Sequence, residues 1–97
     1  MNLDFDQIYI LRESVIFKQE GDGGFLFDPE NGNLKYVNRT ARTILEQVDG
    51  RSDLHQMVRW LQRRYPDETT AALRNDVVDF FRELIANDFV APLDTTK

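Results

Sequence analysis

An α+β domain, a small antiparallel meander followed by three helices, is what this sequence predicts. Two observations lead there. Between residues 14 and 37, three short runs of β-forming residues are separated by two turn clusters, Gly21-Asp22-Gly23-Gly24 and Pro29-Glu30-Asn31-Gly32. Between residues 38 and 86, apolar residues recur at helical spacing in three stretches, each closed by a stop signal.

The first strand is read at Ser14-Val15-Ile16-Phe17-Lys18 and the second at Gly24-Phe25-Leu26-Phe27-Asp28, where Phe25 and Phe27 share a face and Leu26 takes the other. Proline presets φ and Asn-Gly accepts positive φ cheaply, so residues 29–32 turn the chain into a third strand, Asn33-Leu34-Lys35-Tyr36-Val37. Leu34 and Tyr36 share a face there. Turns this short produce a meander whose first and third strands are edges. Ile8-Tyr9-Ile10-Leu11 reads equally as a further strand or as a packed arm.

Asn38 is a good N-cap for a first helix carrying Ala41, Ile44, Leu45 and Val48, and Asp49-Gly50 stops it. Ser52 is the candidate cap of a second helix with the stripe Leu54, Met57, Val58, Leu61 and Tyr65, ended by Pro66. The third helix spans about Thr70 to Ala86 and stops at Asn87-Asp88, after which Phe89 and Val90 form a last packed segment. The whole is one domain, 1–97, with a core over about 14–90, an N-terminal arm over 1–13 and a loose tail over 91–97. A three-stranded meander carrying a three-helix bundle is a winged-helix-like arrangement.

Composition narrows the function classes. A formal charge of −5 argues against duplex nucleic acid and anionic membrane as partners, because both are bound through a basic face. No apolar run approaches the ~18–20 residues of a membrane span. The acidic start, Met1-Asn2-Leu3-Asp4-Phe5-Asp6, is no secretory signal. With no cysteine there is neither a disulfide nor a thiolate metal site, in keeping with a cytoplasmic address.

Catalytic chemistry is missing from the pattern. His55 is the single histidine and has no acidic partner at ligand spacing, so a solvated or capping role fits it better than metal binding. Asp4 and Asp6 are paired carboxylates only superficially, and Ser14 and Ser52 have no nearby base. The glycines at 21–24 lead into a strand rather than a helix N-terminus, so they cradle no phosphate. No catalytic residue, metal or cofactor is expected. Arg59, Arg63 and Arg64 form the one basic cluster. They read as a solvated face that complements the helix C-terminus, or as a docking patch for an acidic surface. Trp60 beside them reads as a core residue.

The third helix carries more apolar surface than one core needs. Leu73, Val77, Phe80 and Leu84 make one stripe, and Val78, Phe81 and Ile85 make a second beside it. Together they cover roughly half the circumference, against the ~100° arc of a one-sided surface helix. The polar remainder holds Asn75, Asp76, Asp79, Arg82 and Glu83. Either both stripes are buried within the molecule or one serves an outside partner. The free edge of the third strand offers unpaired backbone groups to an added strand, with Lys35 as an edge guard against aggregation. Edge and stripe side by side would form a groove.

Val37-Asn38-Arg39-Thr40-Ala41, Ile44-Leu45 and Asp49-Gly50 together resemble the PqqD-like signature at the junction of the third strand and first helix. Leu54, Val58, Leu61 and Tyr65 fit that family's second helix, and Asp76-Val77, Phe80-Phe81, Leu84 and Phe89-Val90 its third helix and closing segment. The chain departs from the pattern at Asn87-Asp88, where the family often has glycine, and at Val37, where it often has leucine. Asparagine and aspartate still tolerate the left-handed turn.

The resemblance implies a recognition domain for ribosomally made, post-translationally modified peptides, as in pyrroloquinoline quinone biosynthesis. Such a domain binds a precursor's leader as an added strand and presents it to a modifying enzyme, commonly of the radical S-adenosylmethionine type. Carried over by position, the groove would use Leu34, Lys35, Tyr36 and Val37 of the strand. From the helix it would use Arg74, Val77, Val78, Phe81 and Ile85. The competing readings are a winged-helix DNA-binding regulator and a structural dimerisation module. A recognition helix mixing Arg74 and Arg82 with Asp76, Asp79 and Glu83 disfavours the former.

Overall fold

The computed structural model describes residues 3–93, so the first two residues of the expected arm and residues 94–97 of the expected tail lie outside the described residues. The elements run β1 (Tyr9–Leu11), β2 (Ile16–Glu20), β3 (Gly23–Asp28), β4 (Asn33–Val37), α1 (Arg39–Leu45), α2 (Leu54–Arg64), α3 (Thr70–Ala86) and β5 (Val90–Pro92). The expected first, second and third strands are β2, β3 and β4. They form a three-stranded antiparallel sheet in the order β2-β3-β4, which leaves one edge of β4 free.

Close approach of the backbones explains the glycines of β3. A Cβ on Gly23 would sit 2.1 Å from the Val37 carbonyl oxygen, and one on Gly24 would sit 2.4 Å from the Lys18 carbonyl oxygen. Only glycine leaves room for that contact. Alternation then sends Leu26 and Val37 into the core at 0% exposure and turns Ile16, Phe27, Leu34 and Tyr36 outward.

The segment at 8–11 is a strand, because β1 pairs antiparallel with β5 (Tyr9 with Pro92, Leu11 with Val90) in a separate two-stranded sheet. That pairing also corrects the expected tail, since Ala91 and Pro92 lie in β5 and the Leu93 N–H donates to the Ile8 carbonyl at 2.8 Å. The chain reaches β5 through Asp88, whose φ of 60° supplies the left-handed turn after α3.

Local chemistry sets the helix starts. Asn38 caps α1 by accepting the Ala41 N–H at 2.9 Å, and Thr69 caps α3 by accepting that of Ala72 at 3.0 Å. The cap of α2 is Asp53 rather than Ser52. Its carboxylate accepts the Gln56 N–H while the Gln56 side chain accepts the Asp53 N–H, a closed capping box. Ser52 instead donates its N–H to Asp49 in the preceding turn.

One core joins these layers. Leu26 and Val37 of the sheet meet Ile44 of α1, Leu54, Met57 and Leu61 of α2, and Leu73, Val77, Phe81 and Leu84 of α3. Trp60 packs at the margin, half-buried. Among the described residues no helix is long and apolar enough to cross a membrane.

Candidate functional site

β4 runs beside α3, and two polar contacts tie them at one end. The Asn33 side-chain amide donates to the Asn87 carbonyl at 2.8 Å, and the Lys35 ammonium pairs with the Glu83 carboxylate. Past the end of β4, α1 and α3 leave a cleft of about 290 Å³. Asn38, Thr40, Ala41 and Ile44 line it from the α1 side, and Asp76, Asp79, Phe80 and Glu83 from α3. Ile44 and Phe80 are almost wholly buried and make an apolar floor. The cleft therefore combines an apolar floor with an acidic rim, and it opens next to the end of β4, whose outer edge is unpaired among the described residues.

The strand residues expected at a groove divide by parity. Lys35 reaches toward α3, and Val37 is wholly buried beneath the strand. Leu34 and Tyr36, 63% and 58% exposed, lie on the opposite face of the sheet. There Phe27 is the register partner of Leu34, and Phe25, the partner of Tyr36, meets it edge-on at 5.5 Å between ring centroids.

The helix residues expected at the groove are elsewhere. Val77 and Phe81 are at 0% exposure in the core, with the Phe81 ring 5.6 Å from that of Tyr9. Arg74 places its guanidinium 4.1 Å from the centre of the Phe5 ring. Ile85, half-buried, joins Leu3, Arg82 and Ala86 around a small pocket, and Val78 is half-buried on the same flank. At ~100° per residue, the Arg74–Val78–Ile85 flank and the Asp79–Glu83 flank lie about 140° apart, on either side of the buried stripe. The second apolar stripe is thus divided between the core and the N-terminal arm, where Leu3 and Phe5 pack against the core. Sequence reasoning missed Asp76, Asp79, Phe80 and Glu83 as the cleft's helical wall. Their i, i+3, i+4 and i+7 spacing was the available signal.

If the arm is a fixed cover, Phe5→Ala should cost about 1–2 kcal/mol of stability through lost packing and the lost Arg74 contact. The cleft lies on the other flank and should be unaffected. Thermal melts with the amide spectrum of the cleft residues check both halves.

The three arginines of α2 also separate. Arg59, Arg63 and Arg64 are all exposed, but only Arg64 also stacks, over Trp60 at 5.5 Å and Tyr65 at 6.0 Å, among the described residues. Arg64 joins Arg39 and Arg42 around a broad polar basin on the other side of α1, where Arg42 also pairs with Glu46 at 3.6 Å. The hydrogen bond to Thr43, then Arg64 and Arg39, holds the Tyr65 phenol below its usual pKa. His55 faces Asp6 at 3.2 Å and Phe5 edge-on, and no described group of residues could hold a metal ion.

Known proteins resemble this arrangement. The chain is 27% identical over 77 residues to a "PqqA binding protein" of Acinetobacter baylyi, covering 69% of this chain and 76% of that one. Among solved structures, TbiB1 in complex with the TbiA(beta) leader peptide superposes with a TM-score of 0.76. The match covers 88% of this chain and 98% of TbiB1 at 14% identity, a likeness of fold. The family model described as Coenzyme PQQ synthesis protein D matches residues 23–90, from the start of β3 to the start of β5, and the chain belongs to this PqqD family.

Proposed function

We propose that this chain is a non-catalytic recognition domain that binds the leader of a ribosomally synthesised precursor peptide and presents it to a modifying enzyme. The observation that carries the reading is the free edge of β4, which the Lys35–Glu83 pair ties to α3 and which leads to the cleft between α1 and α3. An extended peptide laid along that edge satisfies its own amides by backbone pairing, which the displacement of water demands. Its side chains then alternate, one set entering the cleft over Ile44 and Phe80, the other lying beside Leu34 and Tyr36 on the outer face. Membership of the PqqD family supports the reading, as do a relative named for binding PqqA and a like fold solved with a leader peptide.

The finer parts of the proposal follow from the same assignment. The whole chain acts as one winged-helix-like domain, with its helices as a small bundle against the meander, in the cytoplasm. The enzyme served is of the radical S-adenosylmethionine type. Arg59, Arg63 and Arg64 are its candidate docking residues, of which Arg59 and Arg63 are the freer pair. On the strand side the peptide uses the backbone of Leu34 to Val37. On the helix side it uses Asp76, Asp79 and Phe80 in place of the flank carrying Arg74, Val78 and Ile85.

The test is strand addition itself. Along an antiparallel edge, alternate residues turn both N–H and C=O outward, so of Lys35 and Tyr36 one presents its amide to the peptide. Proline at that position should weaken leader binding by about 2 kcal/mol or more, and proline at its neighbour chiefly destabilises the β3–β4 pair. Lys35→Ala, which keeps the backbone, should cost well under half as much. Titration of labelled protein with a synthetic leader, encoded beside the chain's own gene, follows each amide. Slowed exchange along β4 supports the reading, whereas shifts confined to Arg59, Arg63 and Arg64 would refute it.

A further inference from the structure

Asp76, Asp79 and Glu83 form a row along the cleft wall of α3. The row weakens the helix that carries it. Aspartate is a poor interior helix former, and both aspartates stand beyond the first turn, out of reach of the N-terminal partial charge. Like charges three and four residues apart also repel along a helix face. Within the chain, Lys35 answers Glu83; among the described residues, Asp76 and Asp79 make no ion pair. They flank the apolar floor made by Ile44 and Phe80, where an opposite charge interacts more strongly than in open water.

Resting on the peptide-binding reading above, we propose that the leader this cleft selects is basic where it crosses α3. An apolar side chain seats on Ile44 and Phe80, and a lysine or arginine of the peptide pairs with Asp76 and Asp79. The Lys35–Glu83 bridge fixes the position. It neutralises the rim at the Asn33 end of β4, so the peptide's cation lies at the other end, toward Asn38 and Thr40. An acidic segment would meet two unpaired carboxylates there and be rejected.

Three short synthetic peptides decide the matter, identical except at one position that lies two residues from a leucine, on the same side of the extended chain, and carries lysine, serine or glutamate. Each is titrated into the labelled full chain and into the double variant D76N/D79N, with the amide spectrum reporting fold and binding place together. The lysine peptide should bind about tenfold more tightly than the glutamate peptide, as two exposed charge pairs allow. In the double variant this preference should shrink to about twofold or less. The serine peptide should bind both proteins alike, and added salt should weaken the lysine peptide alone. Equal binding of all three peptides along β4 overturns the charge inference and leaves the peptide-binding reading standing. A lysine preference that survives D76N/D79N overturns it as well. If no peptide shifts the β4 amides, the underlying reading falls, and the inference with it.

Discussion

Phe81→Asp is expected to unfold this domain, not merely to weaken its hold on a peptide. The side chain is wholly buried and packs against Tyr9 and Phe80. Truncating a buried phenylalanine costs about 3–5 kcal/mol, and an unpaired carboxylate in its place adds a desolvation penalty. The sum is at least ~4 kcal/mol, against a total of about 5–15 kcal/mol for a typical domain. Val78→Arg makes the contrast. Val78 is half-buried on the flank away from the cleft, so its variant should stay folded and bind leader with near-normal affinity. Circular dichroism melts separate the two, and calorimetry with a leader peptide reads the second. A folded Phe81→Asp protein with weakened binding would restore the second apolar stripe as the peptide's wall.

Gly23→Val should be nearly as damaging, by a different route. The first atom of any side chain there would fall 2.1 Å from the Val37 carbonyl oxygen, so backbone rather than a yielding side chain must move. The expected cost is about 3 kcal/mol or more, larger than ordinary overpacking because the β3–β4 ladder itself is pushed apart. Peptide binding should fall along with stability, since β4 is both the partner of β3 and the proposed platform. Gly21 is the control. Its φ is 61° but nothing lies within 4 Å of an added Cβ, and Gly21→Asn should cost less than ~1 kcal/mol. Denaturant midpoints for the two variants would show the difference, and similar midpoints would mean that the sheet relaxes around Gly23.

The elements were legible because each carries its own local chemistry. Asn33–Val37 matches β4 to the residue, Asn38 caps α1 as expected, and the end of α3 at Ala86 follows from the Asn87-Asp88 stop. Short-range rules suffice there, since turns, caps and apolar spacing act within a few residues. The cap of α2 was displaced by one residue because Ser52 and Asp53 are both competent. The reciprocal Gln56 contact, a property of geometry, selected Asp53.

What the sequence determined by itself is the kind of molecule: a meander with a free third-strand edge, three helices after it, and the motif that resembles the PqqD family. The tertiary structure alone decided which side of α3 faces the edge. Periodicity states that a helix has two apolar stripes, but it does not state which neighbour covers each. β1 pairs with β5, from the other end of the chain, and the arm beside β1 sets Leu3 and Phe5 against the core, with Phe5 under Arg74. Such covering is long-range packing, with no trace in local spacing. The flank left for β4 is therefore acidic, Asp76, Asp79 and Glu83 around Phe80, and the charge of the cleft became visible only once the arm's place was known.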